Sequence, residues 1–163
     1  MYNESEKGAA MTPKEVVRAH STAKTSGDVP GCLEWCHEDV VFETVAFQSA
    51  SHGKREAEQQ FTAFLGAFPD YAVQMDEFVE IDDLVMAAGT ITGTMRGPLA
   101  GIEPTGAAFE LPYVCLWYVR DELIATERFF YDFNQMWEQL GVPTDDAADR
   151  FAAWRDRANA TVS

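Results

Sequence analysis

The hydrophobic pattern changes period near the end of the chain, and that change organises the rest. Residues 109–119 (FELPYVCLWYV) are mostly aromatic, β-branched or leucine, which predicts a strand too apolar for a surface loop. Arg120-Asp121-Glu122 breaks the run with turn character, and residues 123–131 (LIATERFFY) resume as a second strand. DFNQMWEQLG then takes helical spacing, with Asp132 three residues before Gln135 at its start and Gly141 ahead of Val142-Pro143 at its end. Alternate strand residues share a face, so a hairpin folded about 121 and 122 sets Cys115 opposite Phe129 and Trp117 opposite Glu127. One face then carries Cys115, Trp117, Glu127, Phe129 and Tyr131: aromatic, with a single carboxylate. The other carries Val114, Leu116, Tyr118, Ile124 and Phe130, also apolar. Two apolar faces predict cover on both, by helices on one side and by a second chain or the C-terminal segment on the other.

The earlier chain supplies the helices. Thr12, Pro13 and Glu15 form an N-cap, first-turn proline and capping box, and Val16, Ala19, His20 and Ala23 follow at helical spacing up to Gly27. Residues 28–37 read as a short second helix anchored by Leu33 and Trp35, residues 39–44 as a strand, and 46–52 as a loop. Residues 54–68 draw the clearest stripe, with Ala57, Phe61, Phe64, Leu65 and Phe68 on one side. Strands over 71–81 and 84–97 form a hairpin about Asp82-Asp83, with Gly89 and Gly93 marking a bend or bulge. A loop rich in proline and glycine covers 98–106. A last helix over 144–159 has acidic residues at its start, arginines later, and a stripe of Ala147, Phe151, Trp154 and Ala158. Helices first and hairpins later predict an α+β fold: a cone-shaped, curved antiparallel sheet wrapped around the N-terminal helices, with an extra C-terminal helix. The expected divisions are a disordered N-terminus over 1–11, an α+β domain over 12–142 and a helical extension over 143–163.

Composition narrows the partners. A formal net charge of −15 argues against nucleic acid and against an anionic membrane surface. No apolar run approaches the ~20 residues of a membrane helix. The polar start MYNESEKGAA lacks a signal-peptide core, so a cytoplasmic protein with Cys32, Cys36 and Cys115 reduced is expected. Cys32 and Cys36 are spaced like metal ligands, but no second pair follows, so no metal is expected.

Four segments carry a family resemblance: the helix pair ending in CHEDVVFE, GKREAEQQFTAFLGAFPDY, GTMRGPLAGIEPTG and FFYDFNQMWEQLG. In order and spacing, over roughly residues 12–142, the chain resembles the SnoaL-like polyketide cyclases of the nuclear transport factor 2-like superfamily. The resemblance implies a homo-oligomer, here a homodimer, an apolar ligand in each cone, and no metal or organic cofactor. The best-known cyclases of this family close a ring by intramolecular aldol condensation, with a strand Asp and a His on the neighbouring strand. Phe129 and Cys115 stand at those positions, and Met95 at that of a further His. Steroid isomerases of the superfamily place a base near Thr44 and an acid near Cys115, and neither residue matches.

The candidate chemistry follows. Glu127 is the one carboxylate on the aromatic face, where an apolar setting would raise its pKa toward general acid–base use, unless an arginine such as Arg128 or Arg96 pairs with it. Asp132 is a second candidate, against its role as a helix N-cap, and Tyr131 a third, as a hydroxyl donor. Trp35, Phe42, Thr44, Phe68, Met95, Cys115, Trp117 and Phe129 are the expected pocket residues. His20 is expected to pack on its helix stripe, His37 to be exposed, and His52 to reach the pocket mouth. The readings are a cyclase or isomerase acting on an apolar polyketide-like molecule, a non-catalytic binding or assembly module, and a hydroxylase-like accessory protein.

Overall fold

The structure is a computed structural model, and it describes residues 9–160. Most of the stretch expected to be disordered, residues 1–8, lies outside them. The element order is α1 (Pro13–Thr25), α2 (Val29–Leu33), β1 (Cys36–Thr44), a single 3-10 turn (Val45–Phe47), β2 (Ser49–His52), α3 (Lys54–Ala67), β3 (Ala72–Ile81), β4 (Leu84–Thr94), β5 (Ala108–Arg120), β6 (Leu123–Phe130), α4 (Phe133–Leu140) and α5 (Thr144–Ala160). One six-stranded sheet runs β2-β1-β6-β5-β4-β3, curved and unclosed. All neighbours are antiparallel except β1 and β6, which pair in parallel.

The helix signals act as read. Thr12 Oγ1 accepts from the Glu15 amide at 3.2 Å while the Glu15 carboxylate accepts from the Thr12 amide at 2.8 Å. Gly141 closes α4 in the left-handed region at φ 75°. The hairpin register also stands: Cys115 pairs with Phe129 and Trp117 with Glu127, about a turn in which Asp121 and Glu122 are both left-handed.

Five expectations are corrected. The second helix stops at Leu33, and Cys36 and His37 belong to β1, because Cys36 pairs with Ile124 and is buried. The stretch read as a loop contains β2, whose four residues SASH have no strand composition and are held by pairing with 41–44. β4 ends at Thr94, because the amides of Arg96 and Gly97 turn to the Ala67 carbonyl instead of continuing the ladder. Ile124 lies in the core, because the β5–β6 register shifts between Tyr118 and Val119 and rotates the strand end. The bulge expected near Gly89 falls on its partner strand, between Met75 and Glu77. A Cβ at Gly89 would sit 1.9 Å from the Gln74 carbonyl oxygen.

The helices fill the concave side of the sheet. Val16, Val17 and His20 of α1, Ala57 and Phe61 of α3, and Met136, Trp137 and Leu140 of α4 are buried. The convex side stays open within the chain: Val114 and Tyr118 are 41% and 43% exposed, and Met86, Val79 and Ile81 are exposed beside them. The C-terminal segment does not cover that side, since α5 packs Phe151 on Phe47 and Trp137.

Candidate active site in the cone

Glu127 is 4% exposed and is surrounded by donors. Strand pairing brings Trp117 opposite, and its Nε1 donates to Glu127 Oε2 at 2.7 Å. The other partners come from α1, whose inner face lies over β6. His20 Nε2 stands 3.3 Å from Oε2, and Lys24 Nζ 3.5 Å from Oε1. His20 and Lys24 meet the same carboxylate because they lie four residues apart on one helix face. The Lys24 ammonium also sits 4.5 Å from the ring centre of Phe61 and 5.6 Å from that of Phe129. It is a caged cation, held by a carboxylate on one side and aromatic faces on the others.

His20 Nδ1 lies 3.0 Å from the Cys32 carbonyl and 3.2 Å from the Cys32 thiol, with the Cys36 thiol at 3.6 Å. Its ring stacks on Phe42, with centroids 5.8 Å apart. Burial lowers the His20 pKa, but its bonds to Cys32, Cys36 and Glu127 outweigh burial and raise it well above the usual range. Lys24 follows the same logic: burial lowers its pKa and the Glu127 charge more than restores it.

These neighbours overturn the expected protonation of Glu127. Burial does push its carboxyl up, but the Lys24 charge and the hydrogen bonds from His20 and Trp117 hold it down at about 2. Neither expected arginine is involved: Arg128 Nε pairs with Glu43 at 2.8 Å, and Arg96 is exposed. An ionised carboxylate this stable is a weak base at neutral pH. It acts as the counter-ion that fixes the Lys24 ammonium.

A cavity opens beside this cluster; the space among its lining residues, open solvent included, is about 730 Å³. Lys24 and Glu127 line it, and Phe42, Phe61, Phe64, Tyr71, Phe129 and Tyr131 form much of its aromatic wall. Of the expected site residues, Glu127, Tyr131, Phe42, Thr44 and Phe129 line this cavity, and Trp117 lines a smaller one on the other side of Glu127. Burial pushes the hydroxyls of Tyr71 and Tyr131 well above the usual pKa range, so both stay protonated. Phe68, Met95 and Cys115 are fully buried in the core and line neither cavity. Trp35 also lies outside them, and its carbonyl accepts from the Ile124 amide at 2.8 Å. Asp132 is exposed and caps α4, accepting from the Gln135 amide at 2.9 Å. His52 is exposed on β2, away from the cavity lining, and His37 meets the Arg120 carbonyl at 2.7 Å. Among the described residues no three His, Cys, Asp or Glu side chains converge as metal ligands, and no helix is long and apolar enough to cross a membrane.

Sequence reasoning missed Lys24 and Phe47 and assigned His20 only to packing. The available signal was the lysine four residues after His20, on the stripe face of a capped helix.

A curved sheet closed over helices around an aromatic cavity is the ketosteroid isomerase-like, nuclear transport factor 2-like architecture. The sequence matches the SnoaL-like polyketide cyclase family over residues 14–140, and the chain belongs to that family. IdmH of Streptomyces antibioticus, a candidate polyketide cyclase, superposes with a TM-score of 0.68 at 25% identity, covering 81% of this chain and 100% of its own. A candidate SnoaL-like polyketide cyclase of Jannaschia sp. CCS1 gives 0.74 at 20% identity, covering 85% and 98%. AclR of Streptomyces galilaeus, a candidate hydroxylase, gives 0.69 at 20% identity, covering 80% and 97%. No curated protein is similar to the chain at a significant level.

Proposed function

We propose that the protein is a biosynthetic cyclase or isomerase acting on an apolar, carbonyl-bearing, polyketide-like small molecule held in the cone. The observation that supports this reading best is the Lys24 ammonium, paired to Glu127, in the lining of an aromatic cavity. A flat carbonyl compound placed between the rings would present an oxygen to Lys24. As the compound enolises, negative charge develops on that oxygen, and a fixed cation in an apolar site stabilises it strongly. Neighbouring carbonyls make such compounds easy to enolise, so the demand is for a cation at the oxygen more than for a strong base. The enol proton leaves to solvent at the mouth. The enolate carbon then bonds to a second carbonyl carbon, whose oxygen takes a proton back, and the net change is an isomerisation. Pre-folding of the ligand by the walls supplies the remaining acceleration.

The experiment is turnover and binding of a β-polyketone in parent and Lys24→Met protein. Loss of turnover with binding retained supports the reading, and unchanged turnover overturns it.

A second reading, a non-catalytic binding module, draws on Phe129 and Cys115 standing where the family's acid–base pair would be. It expects binding with no turnover by any variant. The proposal extends to assembly: the exposed apolar patch of Val114, Tyr118 and Met86 on the convex face would be covered by a second copy.

A further inference from the structure

We infer that α5 is the wall that sets ligand size: Trp154, backed by Phe151, limits how long a fused-ring ligand the cavity accepts. This rests on the cavity being the ligand site.

The family match ends at residue 140, and α5 begins at Thr144. The helix is nevertheless built into the cavity. Phe151 is 1% exposed, stacks on Phe47 with centroids 4.4 Å apart, and meets Phe133 edge-on at 5.5 Å. Two arginines fasten α5 from outside. Arg155 Nη1 donates to the Phe47 carbonyl at 3.0 Å, in the turn between β1 and β2. Arg150 Nη1 donates to the Gly101 carbonyl at 3.4 Å, in the loop that carries Leu99. Phe47 and Leu99 both line the cavity, so the helix is tied down on two sides of it.

Trp154 is the residue with room to act on a ligand. It packs edge-on against Phe151 at 5.8 Å, is only half-buried, and lines the cavity. Phe151 serves the core, whereas Trp154 is half-buried and lines the cavity beside it. Its removal lengthens the cavity and leaves the Phe47–Phe151–Trp137 packing in place. A segment beyond the family domain thus supplies a specificity residue, while the charged part of the lining is built from α1 and β6.

The test measures dissociation constants of three probes of increasing length: 2-naphthol, 1-hydroxyanthraquinone and 6-hydroxytetracene-5,12-dione. Parent protein is compared with Trp154→Ala, the milder Trp154→Phe, and Arg155→Ala. Parent protein should favour the shorter probes. Trp154→Ala should improve the tetracyclic probe relative to 2-naphthol by about tenfold or more, the scale at which pocket walls discriminate by size. Trp154→Phe should fall between. Arg155→Ala should shift the preference the same way and speed amide exchange in α5, which covers the case of Trp154→Ala failing to fold. An unchanged size preference in folded Trp154→Ala, or in Trp154→Phe and Arg155→Ala together, overturns the inference and leaves the cavity as the ligand site. No binding of any probe to any variant overturns both.

Discussion

Trp117 donates its indole N–H to Glu127 at 2.7 Å, straight across the β5–β6 ladder, in a register where the two residues are direct partners. The sheet itself therefore fixes the carboxylate, and the two cations of α1 meet an aimed acceptor. Removing the charge should leave Lys24 and His20 in an apolar setting without their counter-ion. Glu127→Gln is expected to lose about 3–5 kcal/mol of stability, as when one partner of a buried pair is removed. Urea unfolding at pH 7 measures it, and a loss below about 1 kcal/mol would show that the cluster is solvated.

Lys24→Met keeps most of the side-chain length and removes the cation. Turnover of an enolisable substrate should fall by about 10²–10³-fold, the usual worth of one group stabilising a developing oxyanion. Affinity for a neutral aromatic probe should hold, because the rings that bind it are untouched. Parallel kinetics and equilibrium titration separate the two effects.

Acid should unfold the protein through Glu127. Its folded pKa, about 2, lies below the ordinary 4.5. The stabilisation is therefore complete above the unfolded value and is lost as pH falls from about 4.5 through about 2. The gap between the two values corresponds to about 3 kcal/mol. Stability measured by urea midpoint between pH 6 and pH 2 should decline across that window, and Glu127→Gln should flatten that component.

The thiols should be slow. Cys32, Cys36 and Cys115 are free and buried, and burial pushes Cys115 well above, and Cys36 above, the usual thiol range. Native protein should react with a disulfide reagent far more slowly than denatured protein. Fast labelling at Cys115 in native protein would show that its thiol is accessible after all.

Assembly should depend on the convex face. Tyr118→Lys places a charge within the exposed apolar patch. Parent protein should sediment as a dimer at micromolar concentration, with Tyr118→Lys shifted to monomer. A monomeric parent would remove the assumption that a second copy covers this face.

The parts legible in the sequence were those fixed by neighbours. The Thr12–Glu15 box, the α3 stripe and the Trp117–Glu127 register each depend on residues close in sequence or joined by one tight turn. β2 was hidden because SASH is a strand only by virtue of its partner. Ile124 was misplaced because a one-residue bulge inverts every facing beyond it. The charge state of Glu127 was unreadable for a deeper reason. Parity places the carboxylate on the aromatic face, but His20 and Lys24 arrive from the other end of the chain, through tertiary packing that no local pattern encodes.

The same long reach makes the buried charges a proofreading device. β6 is flanked by Thr126 and Arg128 on either side of Glu127. A one-residue slip of the strand would offer α1 a neutral hydroxyl in one direction and a guanidinium in the other. The first leaves two cations without an anion, and the second drives three cations together out of water. The native alignment sets an anion against the two cations of α1, so the contact that equips the cavity also disfavours a one-residue slip of β6.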